Sequence, residues 1–427
     1  MTQASAIPAM SSPTRSQGVD SAADIGTQAV LIGLDWGTTS LRSYVFDAAG
    51  RVLACETLPW GIMRLPQAEI GPEQEAVAEL GADSDAASAH TRAASVADTA
   101  LELRRAAFEF AFDAACSAWL SVQPDLPVIA CGMVGSAQGW VEVPYVEGQV
   151  DAAVLAQAIV SLVTRSGKHL HIVPGVLERG TLPNVMRGEE TQIVGVSLSH
   201  CHRVASGSAS ALAISPLLIG LPGTHAKWVL SSDGRIGHFD TFMTGEVFAI
   251  LRDHSILGRT MTPSGSDTDS IDPSLANAAF LHGIAVARSQ SEISLLATIF
   301  SVRTMGLTGQ LEAGQQSDYL SGLLIGSELT SLDNSLSRHD GVPLRERSIV
   351  LSGEAGLCER YRTALVAWGC TAVSFAGDAT ERGLWHIAAH ASLITAAGSD
   401  SVGARGVDDL HTAGSTDLSI PHSEHAR

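Results

Sequence analysis

The sequence predicts an α/β protein built from two domains, and three observations predict it. The chain has 427 residues and is 45% hydrophobic, enough for two cores of ordinary size. Runs that read as strands alternate along it with stretches of helical period. One local pattern of strand, polar glycine turn and strand occurs at residues 31–47 and returns about 190 residues later. Spacing alone leaves two unrelated hairpins open. The net charge of −19 argues against a general basic surface for nucleic acid. The six cysteines (55, 116, 131, 201, 358 and 370) form no C-x-x-C pair, which suits a reducing cytoplasm. No apolar run reaches membrane-spanning length, and ALAISPLLIGL is interrupted by Ser215, Pro216 and Gly220. Residues 1–28 and 397–427 read as disordered tails.

In the first hairpin, LIGLDWGTTSLRSYVFD, apolar residues flank Asp35, Gly37, Thr38, Thr39 and Ser40. Consecutive turn amides form a nest for an anion, glycine lets them approach it, and the hydroxyls add donors. An aspartate at a strand end can hold a metal ion through water beside phosphates. The alternative is a plain hairpin with a polar turn. RVLACETL is a third strand after a turn at 47–50. In the loop PWGIMRLP, Trp60 and Met63 would sit beneath a small ligand. Arg64 would meet a carboxylate with its planar fork, or stay solvated. Residues 67–100 read as an insertion of weak helical character. Residues 101–121 read as a helix with Leu101, Ala107, Phe108, Ala111, Phe112, Ala115 and Trp119 on its apolar stripe.

Residues 128–131 are a buried strand ending in a glycine loop. Open α/β folds bind ligands beyond strand ends, which makes Gly132, Ser136, Gly139 and Trp140 pocket candidates, with Tyr145 enclosing them; a loop shaped only by its glycines is the alternative. Residues 151–164 read as helix and HLHI as strand. NVMRGEETQIVG passes from a turn into a helix with Glu189 and Glu190 in its first turn, where acids also suit the helix dipole. Residues 199–211 read as a flexible insertion. Its His200, Cys201 and His202 lack the fourth ligand of a compact structural zinc site.

A second domain begins near Ile214. In AISPLLIGLPGTHAKWVLSSDGRI, Gly223, Thr224 and His225 form the polar turn, Lys227 can reach a bound anion, Trp228 packs, and Asp233-Gly234 signals a hairpin. FDTFMTGEVFAIL is a strand running into a helix that opens on Thr244, Gly245 and Glu246; no chemical role is legible for Glu246. Residues 258–275 read as loop, and 276–302 and 317–334 as helices, with Gly322 and Gly326 permitting close packing. SIVLSGEAGLCERYRTAL holds Ser352, Gly353 and Gly356 in a loop between strand and helix. The last strand and helix flank Gly377 and Asp378.

The first hairpin resembles the first phosphate-binding element of the sugar kinase, heat-shock ATPase and actin superfamily. The segments GMVGSAQGWVEVPY, NVMRGEETQIVG, LPGTHAKWV and FMTGE, in that order, look like the 2-dehydro-3-deoxygalactonokinase family, from about residue 29 to 395. The resemblance implies two related actin-like (ribonuclease H-like) ATPase domains, 29–213 and 214–396, with a nucleotide cleft between them. It implies ATP and Mg²⁺, and transfer to the 6-hydroxyl of 2-dehydro-3-deoxy-D-galactonate in cytoplasmic galactonate breakdown. The two polar turns and Lys227 would hold phosphates, and Ser352, Gly353, Gly356, Gly377 and Asp378 would border the adenosine. Asp35 would position Mg²⁺, and Arg187 would bind an anionic oxygen of either the substrate or the phosphoryl group. Related sugar kinases carry an aspartate base at a turn before the second phosphate loop. Here that place holds Gly188-Glu189-Glu190, with Glu189 favoured and Glu190 the alternative. The C4 epimer, 2-dehydro-3-deoxygluconate, is the alternative substrate, since an inverted hydroxyl is rejected strongly only where the site hydrogen-bonds it. A non-catalytic nucleotide-dependent sugar sensor is the alternative class; it would carry a helix-turn-helix, which the N-terminal tail does not show. Two anionic ligands on so acidic a chain require a locally positive site, with distant charges screened beyond ~8 Å.

Overall fold

The structure, a computed structural model, describes residues 22–66, 86–205, 216–262 and 272–395. Most of both expected tails lies outside these residues. So do 67–85, 206–215 and 263–271, and the side chains of His200, Cys201 and His202. Helix α1 (Ala22–Gln28) leads into β1 (Leu31–Trp36), β2 (Leu41–Phe46) and β3 (Val52–Leu58), and α2 (Ala86–Leu120) leads to β4 (Val128–Gly132). Then come β5 (Val146–Glu147), α3 (Ala152–Gln157), β6 (Val160–Val163), β7 (His169–Ile172), β8 (Val176–Glu178), β9 (Asn184–Met186) and α4 (Glu189–Ala205). The second half begins with β10 (Leu217–Leu221), β11 (Ala226–Ser232), β12 (Arg235–Phe242) and α5 (Thr244–His254). Helices α6 (Pro273–Ser289), α7 (Leu295–Thr298), α8 (Ser301–Leu307) and α9 (Gln316–His339) follow. It ends with β13 (Ile349–Leu351), α10 (Ala355–Trp368), β14 (Val373–Phe375) and α11 (Ala379–His390).

Two large sheets repeat one topology. Their orders are β3-β2-β1-β4-β7-β6 and β12-β11-β10-β13-β14. In each, three antiparallel strands lead, and two more join in parallel. Among the described residues, the edge strand β6, antiparallel to β7, is the one strand of the first sheet with no counterpart in the second. The match in order and direction makes the halves two versions of one α/β design, the actin-like architecture that the family resemblance implies.

Side-chain alternation along the strands feeds separate cores. On the outer face of the first sheet, Ile32, Leu34 and Val128 pack with Phe108, Phe112 and Trp119 of α2. On the outer face of the second, Leu218 and Trp228 pack with Phe280, Leu329 and Leu365. The two inner faces share a single core. Leu31, Phe46 and Ile129 meet Ile219, Val229 and Phe239 through Ile193 and Val196 of α4 and Leu384 and Ile387 of α11. These two helices cross backbone to backbone: a Cβ at Gly195 would stand 2.0 Å from the Ala379 oxygen, and one at Gly383 1.9 Å from the Thr191 oxygen. Gly322 and Gly326 likewise seat α9 against α6, at Phe280 and Ala287.

Several boundaries correct the sequence reading. Residues 22–28, expected in a tail, form α1, which docks where Gln123 Nε2 donates to the Gly26 oxygen at 2.6 Å. Helix α2 starts at Ala86, inside the expected insertion, and Leu101 is exposed because its buried stripe begins at Ala107. Residues 160–163, expected helical, form the edge strand β6, which pairs along β7. Helix α4 continues to Ala205, into the segment expected to be flexible. The expected helix over 276–302 is three, with Ser294 capping α7 through the Leu296 amide. Among the described residues no helix is long and apolar enough to cross a membrane.

Candidate active site

The ends of β1, β4, β10, β13 and β14 open on a cleft of about 640 Å³ between the two halves. It brings together Asp35, Gly37, Thr38, Gly132, Arg187, Glu189, Gly223, Thr224, His225, Ser352, Gly353, Gly377 and Asp378.

The first turn closes where the Gly37 amide donates to the Ser40 oxygen at 2.9 Å. The next loop braces it: the amides of Ile62 and Met63 donate to the Gly37 and Thr38 oxygens, each at 3.0 Å. Hairpin register sets Arg42 opposite Asp35, with Nη1 3.3 Å from Oδ2. Burial pushes the Asp35 carboxyl upward; Arg42 opposes this and the nearby Glu189 charge adds to it.

The chain enters α4 through Gly188, whose φ of 108° calls for glycine and whose backbone packs closely on the Gly132 Cα (3.1 Å from an added Cβ). Glu189 faces the cleft. Its Oε2 accepts from the Arg187 amide at 3.0 Å, and its Oε1 lies 3.4 Å from Nζ of the buried Lys227 on β11. Glu190 is fully buried, its Oε2 accepting from the Gly188 amide at 2.6 Å. Burial, then the Glu189 charge, push its carboxyl up to about 8. The Arg187 side chain is also buried. Nη2 donates to the Val143 oxygen at 2.7 Å, and the guanidinium lies 4.3 Å over the Tyr145 ring. Its Nε and Nη1 have no partner among the described residues.

The start of α5 supports the second turn. A Cβ at Gly245 would stand 2.4 Å from the Gly223 oxygen, and the Glu246 amide donates to the Thr224 oxygen at 3.0 Å. His225 Nε2 and Glu246 Oε2 are 2.5 Å apart, which gives Glu246 a role the sequence left open. Beyond Gly223 a second cavity of about 290 Å³ is walled by Thr244, Phe248, Ser321, Leu324, Leu357, Arg360 and Tyr361. Arg360 lies 4.1 Å over the Phe280 ring, its Nε donating to Ser321 Oγ at 2.8 Å. Behind this wall the buried Glu328 accepts from Trp228 Nε1 (2.7 Å) and the Tyr361 hydroxyl (2.8 Å).

Other predicted residues do not line the cleft. These are Thr39, Ser40, Trp60, Arg64, Ser136, Gly139, Trp140, Tyr145, Glu190, Lys227 and Gly356. Trp140 stacks on Phe108 and Trp60 meets Phe110 edge to face, so both rings complete the packing of α2. Met63 and Arg64 are exposed. Ser136 Oγ donates to the Met133 oxygen at 2.7 Å, and Gly139 fits against the Val134 oxygen. The Gly356 amide is taken by Glu354, the cap of α10. Sequence reasoning missed Arg42, Gln192, Glu354, Thr380 and Glu381, which do line the cleft. Counting across the first turn finds Arg42, and counting one helical turn from Glu189 finds Gln192. Glu381, on the distant α11, left no local signal. Its carboxyl is pushed up, first by burial and then by Asp378 and Asp35.

A family model described as 2-keto-3-deoxy-galactonokinase matches residues 35–387. The chain is 34% identical over 253 residues to 2-dehydro-3-deoxygalactonokinase of Escherichia coli (strain K12), covering 59% of this chain and 74% of that one. A crystal structure from Sinorhizobium meliloti, provisionally assigned as a 2-dehydro-3-deoxygalactonokinase, shares 29% identity at a TM-score of 0.59, over 84% of this chain and 98% of that one. The family match runs from Asp35, near the end of β1, into α11 and so takes in both walls of the cleft: the chain belongs to the 2-keto-3-deoxy-galactonokinase family.

Proposed function

We propose that this chain is an ATP-dependent kinase that phosphorylates the 6-hydroxyl of 2-dehydro-3-deoxy-D-galactonate, as part of galactonate breakdown in the cytoplasm. The observation that carries this reading is the meeting, in one cleft, of two glycine turns from the two halves with Glu189 at the start of α4. Family membership and the E. coli relative, a 2-dehydro-3-deoxygalactonokinase, support the substrate.

The turns at Gly37 and Gly223 face each other across the cleft and suit a triphosphate. Gly223 also borders the second cavity, whose partly apolar walls suit the adenosine. The sugar acid lies on the Arg187 side, where two unpartnered guanidinium nitrogens suit an anionic oxygen. Glu189 takes the proton of the attacking hydroxyl. A bond forms from that oxygen to the γ-phosphorus as the bond to the β–γ bridging oxygen breaks, and ADP leaves with the electron pair. Closing the halves excludes water from the transfer.

The residues fit Mg²⁺. Among the described residues no three acids, histidines or cysteines form a cage, yet Asp35 is crowded by the charges of Glu189 and Glu381. A cation that keeps several waters and takes phosphate oxygens needs only one or two carboxylates, and Asp35 would hold it. When bound, it neutralises phosphate charge.

The test is ADP release from Mg-ATP with a panel of hexose-derived acids that includes both 2-dehydro-3-deoxy epimers. Turnover confined to the galacto epimer is expected. Equal turnover of both epimers would remove the narrow substrate. Tight ATP binding without turnover on any acid would mark a sensor.

A further inference from the structure

We infer that Lys227 serves two partners, the Glu189 carboxylate and the γ-phosphoryl group of ATP, and that bound ATP draws this cation off the base. The inference rests on the reading of Glu189 as the base and deepens it.

Lys227 stands two residues beyond His225 and pairs in register with Leu221, at the end of β10. Its side chain is 6% exposed, and Glu189 is the one acid within ion-pair distance among the described residues. The pair joins the second hairpin to the first turn of α4, across the two halves. An ammonium carries three donors, and 3.4 Å is longer than a close N–H···O contact. Glu189 therefore meets only part of what a buried cation requires. Lys227 stands behind the cleft wall, but Glu189 lines the cleft together with both glycine turns, so a γ-phosphoryl group seated between them brings a denser negative charge beside the carboxylate on which Lys227 rests, with acceptors suited to charge-assisted bonds. Once Lys227 turns to it, Glu189 Oε1 is released. Oε2 stays fixed by the Arg187 amide, so the carboxylate keeps its orientation while becoming able to take the hydroxyl proton. The base is then freed by ATP and by ATP alone, which ties proton removal to the presence of an acceptor phosphoryl group.

The test measures Mg-ATP and Mg-ADP affinity without sugar acid for the wild type, Glu189→Gln and Lys227→Met, with a melting temperature for each. Glu189→Gln leaves Lys227 wholly to the nucleotide. It should bind Mg-ATP about 3- to 10-fold more tightly and Mg-ADP unchanged, although its turnover is lost. Lys227→Met should bind Mg-ATP at least about tenfold more weakly, with Mg-ADP within about threefold. The ATP-to-ADP ratio cancels effects on adenosine binding or on the fold. Wild-type ATP affinity in Glu189→Gln would overturn the exchange. Equal weakening of both nucleotides in Lys227→Met would remove Lys227 from the γ-phosphoryl group. Near-normal turnover of Glu189→Gln with the sugar acid would end the base assignment separately, leaving the two affinity ratios to decide whether the lysine changes partner.

Discussion

Glu189 and Glu190 are adjacent in the chain and sit in opposite surroundings, so their substitutions should part. Glu189→Gln should fold and lose about 10²–10⁴ in kcat, as removal of a general base does. Glu190→Gln should keep turnover and change how stability depends on pH. The Glu190 carboxyl titrates near 8 in the folded chain and near its ordinary 4.5 when unfolded. Its contribution to stability is complete below 4.5 and is lost as pH rises towards 8, because the unfolded chain has released a proton that the folded chain retains. The slope approaches about 1.4 kcal/mol per pH unit; urea unfolding of Glu190→Gln between pH 5 and 8 should lack it. Arg187→Met should raise KM for the sugar acid by at least about tenfold and barely move KM for ATP, given the strength of a charged hydrogen bond. A matching rise in KM for ATP would assign its free nitrogens to phosphate. The residue types at this site were legible from the chain, but which glutamate faces the cleft was not. That depends on Gly188 turning over Gly132, a contact between segments far apart in sequence.

At the scale of elements, the loop–helix contact at Gly245 offers a direct check. Gly245→Ala would drive a methyl group against the Gly223 oxygen and shift the second turn. The expected result is a loss of about 1–3 kcal/mol in stability and about a tenfold rise in KM for ATP, read from unfolding and initial rates. Local patterns announced both hairpins and most helix starts, because turn residues and apolar period act over a few positions. They failed at β6, where pairing with β7 overrode a helical reading of residues 151–164. They also misled at Trp60 and Trp140. An aromatic in a glycine loop reads as a ligand platform until α2 arrives to claim it.

For the molecule as a whole, the shared inner core decides what can stand alone. Helix α11 follows the second sheet in sequence, yet Leu384, Trp385 and Ile387 complete the core against the inner face of the first. An excised fragment of residues 22–205 should therefore fail to show cooperative unfolding, and adding the complementary fragment, 216–395, should restore it; a fragment that melts cooperatively alone would contradict this. The duplication itself was visible as two hairpins, whereas the return of α11 was not, since nothing near residue 379 signals a partner in α4. The same return sets a timetable for synthesis. The strands of the first sheet leave the ribosome early, but the helix that covers their inner face emerges roughly two hundred residues after the last of them, Ile172 to Ala379. At about 5–20 residues per second that face waits roughly 10–40 s, an interval in which a nascent chain of this protein is open to chaperones and to its neighbours on the same message.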